Sequence, residues 1–144
     1  MSAKEHYTTL YAELVQRFGV LNDETISSII GFSAGGPVSM CQIGHEDIFV
    51  TCELSLYPEQ ICSTDGFRYE LLSLGGISEG ACRAIFKALG SLSMDAQLGD
   101  RHTVDVSGIP GVEGISTVGL MKFSTSRIGN DMFGIYEVIS IDLP

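Results

Sequence analysis

The stretch FRYELLSLGGISEGACRAIFKALG, Phe67 to Gly90, decides the fold class. Its first part alternates: Phe67, Tyr69 and Leu71 fall on one side, Arg68 and Glu70 on the other. That period of two belongs to a β-strand. Gly75-Gly76 ends the strand, because two glycines in succession let the chain turn sharply. Ser78 is then placed to cap a helix, with Glu79 in the first turn where a carboxylate meets the positive end of the helix dipole. Cys82, Ile85, Phe86 and Leu89 recur at helical spacing and form its buried stripe, and Gly90 is the expected stop. A strand, a tight turn and a capped helix thus occupy 24 consecutive residues.

Outward from this unit the signals alternate less regularly. Tyr7, Leu10, Tyr11, Leu14, Val15 and Phe18 mark one face of an amphipathic helix over about residues 5–18, with Gly19 at its end. Thr25 to Ile30 fits either type of element, and GFSAGGP (Gly31 to Pro37) reads as a glycine-rich loop. Val38 to Ile43 and Asp47 to Leu56 read as strands joined by a turn at Gly44-His45-Glu46. Tyr57 to Gly66 is a polar loop. Beyond the central helix come a loop (Ser91 to Arg101), a short strand (Thr103 to Val106) and a turn-rich linker (Gly108 to Gly114). Two last strands, Ser116 to Phe123 and Gly134 to Leu143, flank a polar loop from Ser124 to Met132. Helices are too few for repeating βαβ units. The expected fold is a single α+β domain over residues 1–144: a mainly antiparallel twisted sheet, an N-terminal helix and a second, central helix.

The chain has 144 residues, 44% of them hydrophobic and 18% charged, enough to bury a core and too apolar for disorder. Eight Lys and Arg against eighteen Asp and Glu give a net charge of -10. That balance argues against nucleic-acid or anionic-membrane partners, which need a basic surface. No run of about 18 apolar residues is present, and the start lacks a basic segment followed by an apolar block. A cytoplasmic protein with reduced thiols is therefore expected. Cys41, Cys52, Cys62 and Cys82 lack the tight pairing of zinc ligands and read as small core hydrophobes. His6, His45 and His102 have polar neighbours and no ligand spacing, so neither metal nor other cofactor is implied.

Two G-x-S-x-G matches, Gly31 to Gly35 and Gly76 to Gly80, raise the alternative of a small serine hydrolase. Too few residues precede Ser33 for the parallel strands such an elbow follows. Ser78 is already accounted for as a helix cap, although Asp95 or Asp100 and then His102 follow it in the hydrolase order. No phosphate-binding glycine motif occurs. The expectation is a protein without catalytic residues. The remaining signal is the acidic excess in loops: Glu46, Asp47, Glu59, Asp65, Asp95, Asp100, Glu113 and Asp131. Loop carboxylates stay available to a basic partner, and such complementarity speeds and selects association.

The segments HEDIFVTCELSLYP, FRYELLSLGG, GACRAIFKALGSL, GLMKFS and YEVISIDLP, in this order, resemble the bacterial suppressor-of-fused-like domain family. Val50-Thr51-Cys52-Glu53-Leu54-Ser55 is similar to a recurring strand end of that family, with Glu53 where glycine is usual. Arg68-Tyr69-Glu70-Leu71 is similar to its R-x-E-L strand, and the likeness spans about residues 37 to 143. The resemblance implies an immunity protein of a toxin–immunity system, of the contact-dependent inhibition type, that binds and blocks one cognate toxin domain. A basic nuclease toxin would suit the charge. It carries over no catalytic residue. An interaction domain with another protein partner stands as the further alternative.

Overall fold

The computed structural model describes residues 12, 25–26, 40–42, 48–51, 54–57, 59–128 and 131–141. The helix expected over residues 5–18 lies outside the described residues except for Ala12, as does the turn at residues 44–46. Among the described residues there are seven strands: β1 (Thr25–Ile26), β2 (Met40–Gln42), β3 (Phe49–Thr51), β4 (Arg68–Ser73), β5 (Thr103–Asp105), β6 (Thr117–Ile128) and β7 (Asp131–Ser140). An α-helix, α1, runs from Glu79 to Ser93, and a 3-10 turn covers Leu54–Leu56. The strands form one sheet in the order β1-β2-β3-β4-β7-β6-β5. Every neighbouring pair is antiparallel except β4 and β7, which are parallel. The α+β architecture is therefore a mixed, mostly antiparallel sheet with a central helix.

From Phe67 to Leu89 the unit behaves as its sequence implies. Gly75 and Gly76 take φ values of 125° and 80°, a region that side chains with a Cβ rarely enter, and turn the chain from β4 into α1. Ser78 caps the helix, its hydroxyl accepting from Ala81 N at 3.3 Å. The helix buries Ala81, Cys82, Ile85, Phe86 and Leu89 against Tyr69 and Leu71 of β4, Val118 and Leu120 of β6, and Tyr136 and Val138 of β7. Gly90 does not end it. A helical glycine costs only about 1 kcal/mol relative to alanine, and the buried stripe continues to Ser93, whose hydroxyl donates to Gly90 O at 2.6 Å.

Three further expectations need correction. Residues 47–56 are not one strand: β3 ends at Thr51 and the chain tightens into the 3-10 turn. The polar stretch Ser124 to Met132 is largely not a loop but the two arms of the β6–β7 hairpin, so Asp131 is the first residue of β7. Serine and threonine make that stretch read as a loop, yet a ladder is held by backbone groups that every residue but proline carries. One register shift between Lys122 and Ser124 leaves Phe123 as the extra residue of a bulge. Cys62, expected in the core, is exposed in the loop before β4.

The register separates two faces. Tyr69, Leu71, Tyr136 and Val138 face α1. Val50, Leu72, Phe133 and Ile135 are equally buried but belong to the opposite face. Both faces of the sheet's centre are thus withdrawn from water, and that decides the environment of every charged residue placed there.

Candidate functional site

Glu70 is the first such residue. It is fully buried on the face opposite α1. Its Oε1 accepts from Thr51 Oγ1 at 2.7 Å and from Leu54 N at 3.0 Å. Its Oε2 accepts from Ser55 N at 2.7 Å and from the Ser55 hydroxyl. Leu54 and Ser55 open the 3-10 turn, and the first amides of a helical turn have no partner inside it. The carboxylate caps that turn from 15 residues away in the chain. Thr51 Oγ1 also accepts from Leu71 N at 2.8 Å, so one hydroxyl both donates and accepts.

This arrangement completes the sheet where β3 is too short. β3 pairs only with Leu72 and Ser73 of β4. Below that point side chains replace the missing strand: Thr51 serves Leu71 N, and the Gln60 amide accepts from Tyr69 N at 3.1 Å and donates to Tyr69 O at 3.0 Å. The segments around Thr51–Ser55 and around Glu70 are therefore joined directly by hydrogen bonds.

The loop between the 3-10 turn and β4 is held just as firmly. Tyr136 Oη lies 2.6 Å from Asp65 Oδ2 and 2.9 Å from Ser63 Oγ; its one proton goes to the carboxylate and the serine hydroxyl donates to it. Burial, and then the Asp65 carboxylate, push the Tyr136 phenol well above the usual tyrosine range. Burial pushes Tyr69, packed edge-on against Tyr136 at 5.0 Å, up to about 12. Neither phenol is a base near neutral pH. Ile61 N donates to Ser93 O and Thr64 N to Leu98 O, both at 2.9 Å, and Gln97 Nε2 reaches Ser63 O at 3.4 Å. These bonds stitch residues 61–64 to the last residue of α1 and the segment that follows it.

The expected binding carboxylates sort accordingly. Glu46 and Asp47 lie outside the described residues. Glu59, Asp65 and Asp95 are exposed and sit on the two stitched loops, at the end of the sheet where β4 and β7 begin. Asp131 starts β7 at that same end. Asp100 is half-buried and accepts from Lys122 N at 2.7 Å, so it helps hold β6. Glu113 is exposed on the loop before β6, at the opposite end, where β7 finishes beside Val118. The six described candidates do not form one patch; the stitched loops bring three of them to one end.

The other candidates resolve individually. The Ser78 hydroxyl is engaged by its own helix, and Ser33 lies outside the described residues. His102 is exposed; His6 and His45 are outside the described residues. Among the described residues no three His, Cys, Asp or Glu side chains gather as metal ligands would. No helix among them is long and apolar enough to cross a membrane. Cys82 is buried, and burial pushes its thiol up to about 12.

One residue that sequence reasoning passed over is Glu137. It lies on the face opposite α1, half-buried, between Leu72 of β4 and Met121 of β6. Along its own strand its same-face neighbours are Ile135 and Ile139. All four positions around it in the sheet are apolar. Burial alone raises its pKa above the usual carboxylate range.

Comparison of the chain with family models, with curated proteins and with solved structures found no match.

Proposed function

We propose that the chain is a non-enzymatic immunity protein of the suppressor-of-fused-like type, which binds and neutralises a cognate toxin domain in the cytoplasm. The partner is basic, and a nuclease toxin is the class that fits best. The observation that carries this reading is the pair of stitched loops presenting exposed Glu59, Asp65 and Asp95 on a chain of net charge -10. A held loop loses less conformational freedom on binding than a free one, so its carboxylates are pre-organised for Lys and Arg. No specific observation favours the hydrolase alternative, because the Ser78 hydroxyl is already taken by Ala81 N.

The test is co-expression with the toxin domain encoded beside the gene, followed by co-purification. Association rates are then measured across a salt series for wild type and for Glu59→Lys/Asp95→Lys. Rates that fall with salt, and fall further in the double variant, support the reading. A toxin domain that never co-purifies, or rates indifferent to salt and to charge reversal, would overturn it.

A further inference from the structure

Glu137 occupies an uncomfortable position. A carboxylate half out of water, framed by Leu72, Met121, Ile135 and Ile139, loses hydration and gains nothing from these neighbours. Among the described residues no hydrogen-bond donor or cation reaches its carboxylate. Lys122, the next residue along β6, is registered with Tyr136 and so belongs to the other face. Within the fold, Gln or Thr at this position would be better tolerated. Glu70, on the same face two registered positions away, shows the alternative: there four donors surround the buried carboxylate.

The surroundings are open on one side. Leu72 and Ile135 are buried, whereas Met121 and Ile141 are each 41% exposed and Ile139 is half-buried. Ile141 continues the Ile139 row and lies over Gly119, its Cγ2 3.4 Å from where a Cβ there would stand. Gly119 adds no side chain, so the floor between β6 and the end of β7 is flat. The result is a shallow apolar shelf of Met121, Ile139 and Ile141 with a single unmet acceptor at its inner edge.

The geometry points to this shelf as a docking site for an arginine or lysine of a protein partner, whose aliphatic stem lies on Met121, Ile139 and Ile141 and whose cationic head meets Glu137. The chemistry is complementary in both halves: the stem covers apolar surface and the head supplies the missing donor. An interface centred on a desolvated charge pair inside an apolar surround has the character of a binding hot spot. The site lies on a sheet face, away from the stitched loops, and it rests on the reading that the chain acts by binding a basic protein.

The experiment has two arms. In the first, n-butylguanidinium chloride, a cation on a short apolar stem, is titrated into the 15N-labelled protein at constant ionic strength, with n-butylurea as the uncharged control. Saturable shifts should centre on the amides of Leu72, Met121, Glu137 and Ile139. Glu137→Gln, which keeps the shape and removes the charge, should weaken them by about tenfold, the scale of one charge-assisted hydrogen bond. Shifts that never saturate, that match those from butylurea, that persist in the variant, or that centre on the loops of Glu59 and Asp95 overturn the site. In the second arm, the toxin complex is formed with Glu137→Gln. A wild-type complex left unweakened by this change overturns the site while the immunity reading stands. Butylguanidinium bound at Glu137 with no toxin complex overturns the immunity reading and leaves the site.

Discussion

Replacing Glu70 tests whether the fold hangs on one carboxylate. In Glu70→Ala, Thr51 and Ser55 can turn their hydroxyls toward other acceptors, but Leu54 N and Ser55 N cannot. Both residues are fully buried, and Tyr57 N bonding to Leu54 O at 3.3 Å keeps the turn closed. A buried donor left without a partner costs about 1–3 kcal/mol. Two of them, with the lost methylene packing, set the Ala variant at about 4–6 kcal/mol. Glu70→Gln keeps one oxygen and turns the other into a donor. Whichever way the amide settles, it faces one backbone N–H and one hydroxyl that need an acceptor. One stranded amide predicts about 2–3 kcal/mol for Gln, near half the Ala value. Urea unfolding at pH 7 measures both, provided the slope with denaturant stays that of wild type. Thr51→Val completes a double-mutant cycle with Glu70→Gln, and their coupling should exceed about 0.5 kcal/mol because the two side chains share a bond. A Gln variant within about 0.5 kcal/mol of wild type, the range of ordinary surface substitutions, would refute the idea that Glu70 holds residues 51–55 to β4.

Three other outcomes follow from the same structure. Gly134→Ala places a Cβ 2.1 Å from Phe67 Cε2, and that ring, stacked on Tyr136 at 5.8 Å, has no easy retreat; a loss of about 1–3 kcal/mol is expected, recovered in part by Phe67→Leu, and thermal melts that leave Gly134→Ala at the wild-type midpoint would contradict the packing. Peptide mapping after brief iodoacetamide treatment should find Cys62 alkylated and Cys82 untouched until the protein unfolds; equal labelling of both would show that α1 opens readily. Glu137 has a pKa raised by the fold, so between the ordinary glutamate value and the raised one the native state binds the extra proton and stability falls as pH rises. Glu137→Gln should therefore be more stable than wild type at neutral pH, and its advantage should disappear once pH falls below the ordinary glutamate range; an advantage that grows on acidification would reverse the sign.

What could be read from the chain beforehand follows from how local each signal is. β4, the glycine turn and α1 are legible because alternation, turn and cap lie within 24 residues of one another. The capping role of Ser78 needed nothing beyond its neighbours. The arms of the β6–β7 hairpin around residues 124–132 were hidden by their serines and threonines, which pair through backbone alone. The parallel contact of β4 with β7 joins residues 65 apart, and no short window contains it. Glu70 sits beside Arg68 in an alternating pattern and reads as solvent-facing. Its burial depends on the apolar second face, Leu72, Phe133 and Ile135, and on donors 15 to 19 residues upstream. Glu137 was missed for a similar reason: a carboxylate in an alternating strand is ordinary until the register puts an apolar neighbour on every side. Of the loop carboxylates, Glu59, Asp65 and Asp95 could be named in advance, but not that Ile61 and Thr64 would tie their loops together.

The position of β7 bears on how the molecule is made. It lies between β4 and β6, yet it follows every other strand in sequence. As the chain leaves the ribosome, β4 and α1 can pair and cap early, and β5 can meet β6 locally. Two half-sheets then wait with open edges until residues 131–140 emerge to bridge them. A parallel pairing across such a separation forms slowly, because the long loop must close before any contact rewards it. During that interval the inner edges of β4 and β6 are templates for a strand from any neighbouring chain. Synthesis at high density should therefore favour exchanged dimers in which one molecule's β7 completes another's sheet, and a chaperone that shelters open edges should raise the yield of monomer.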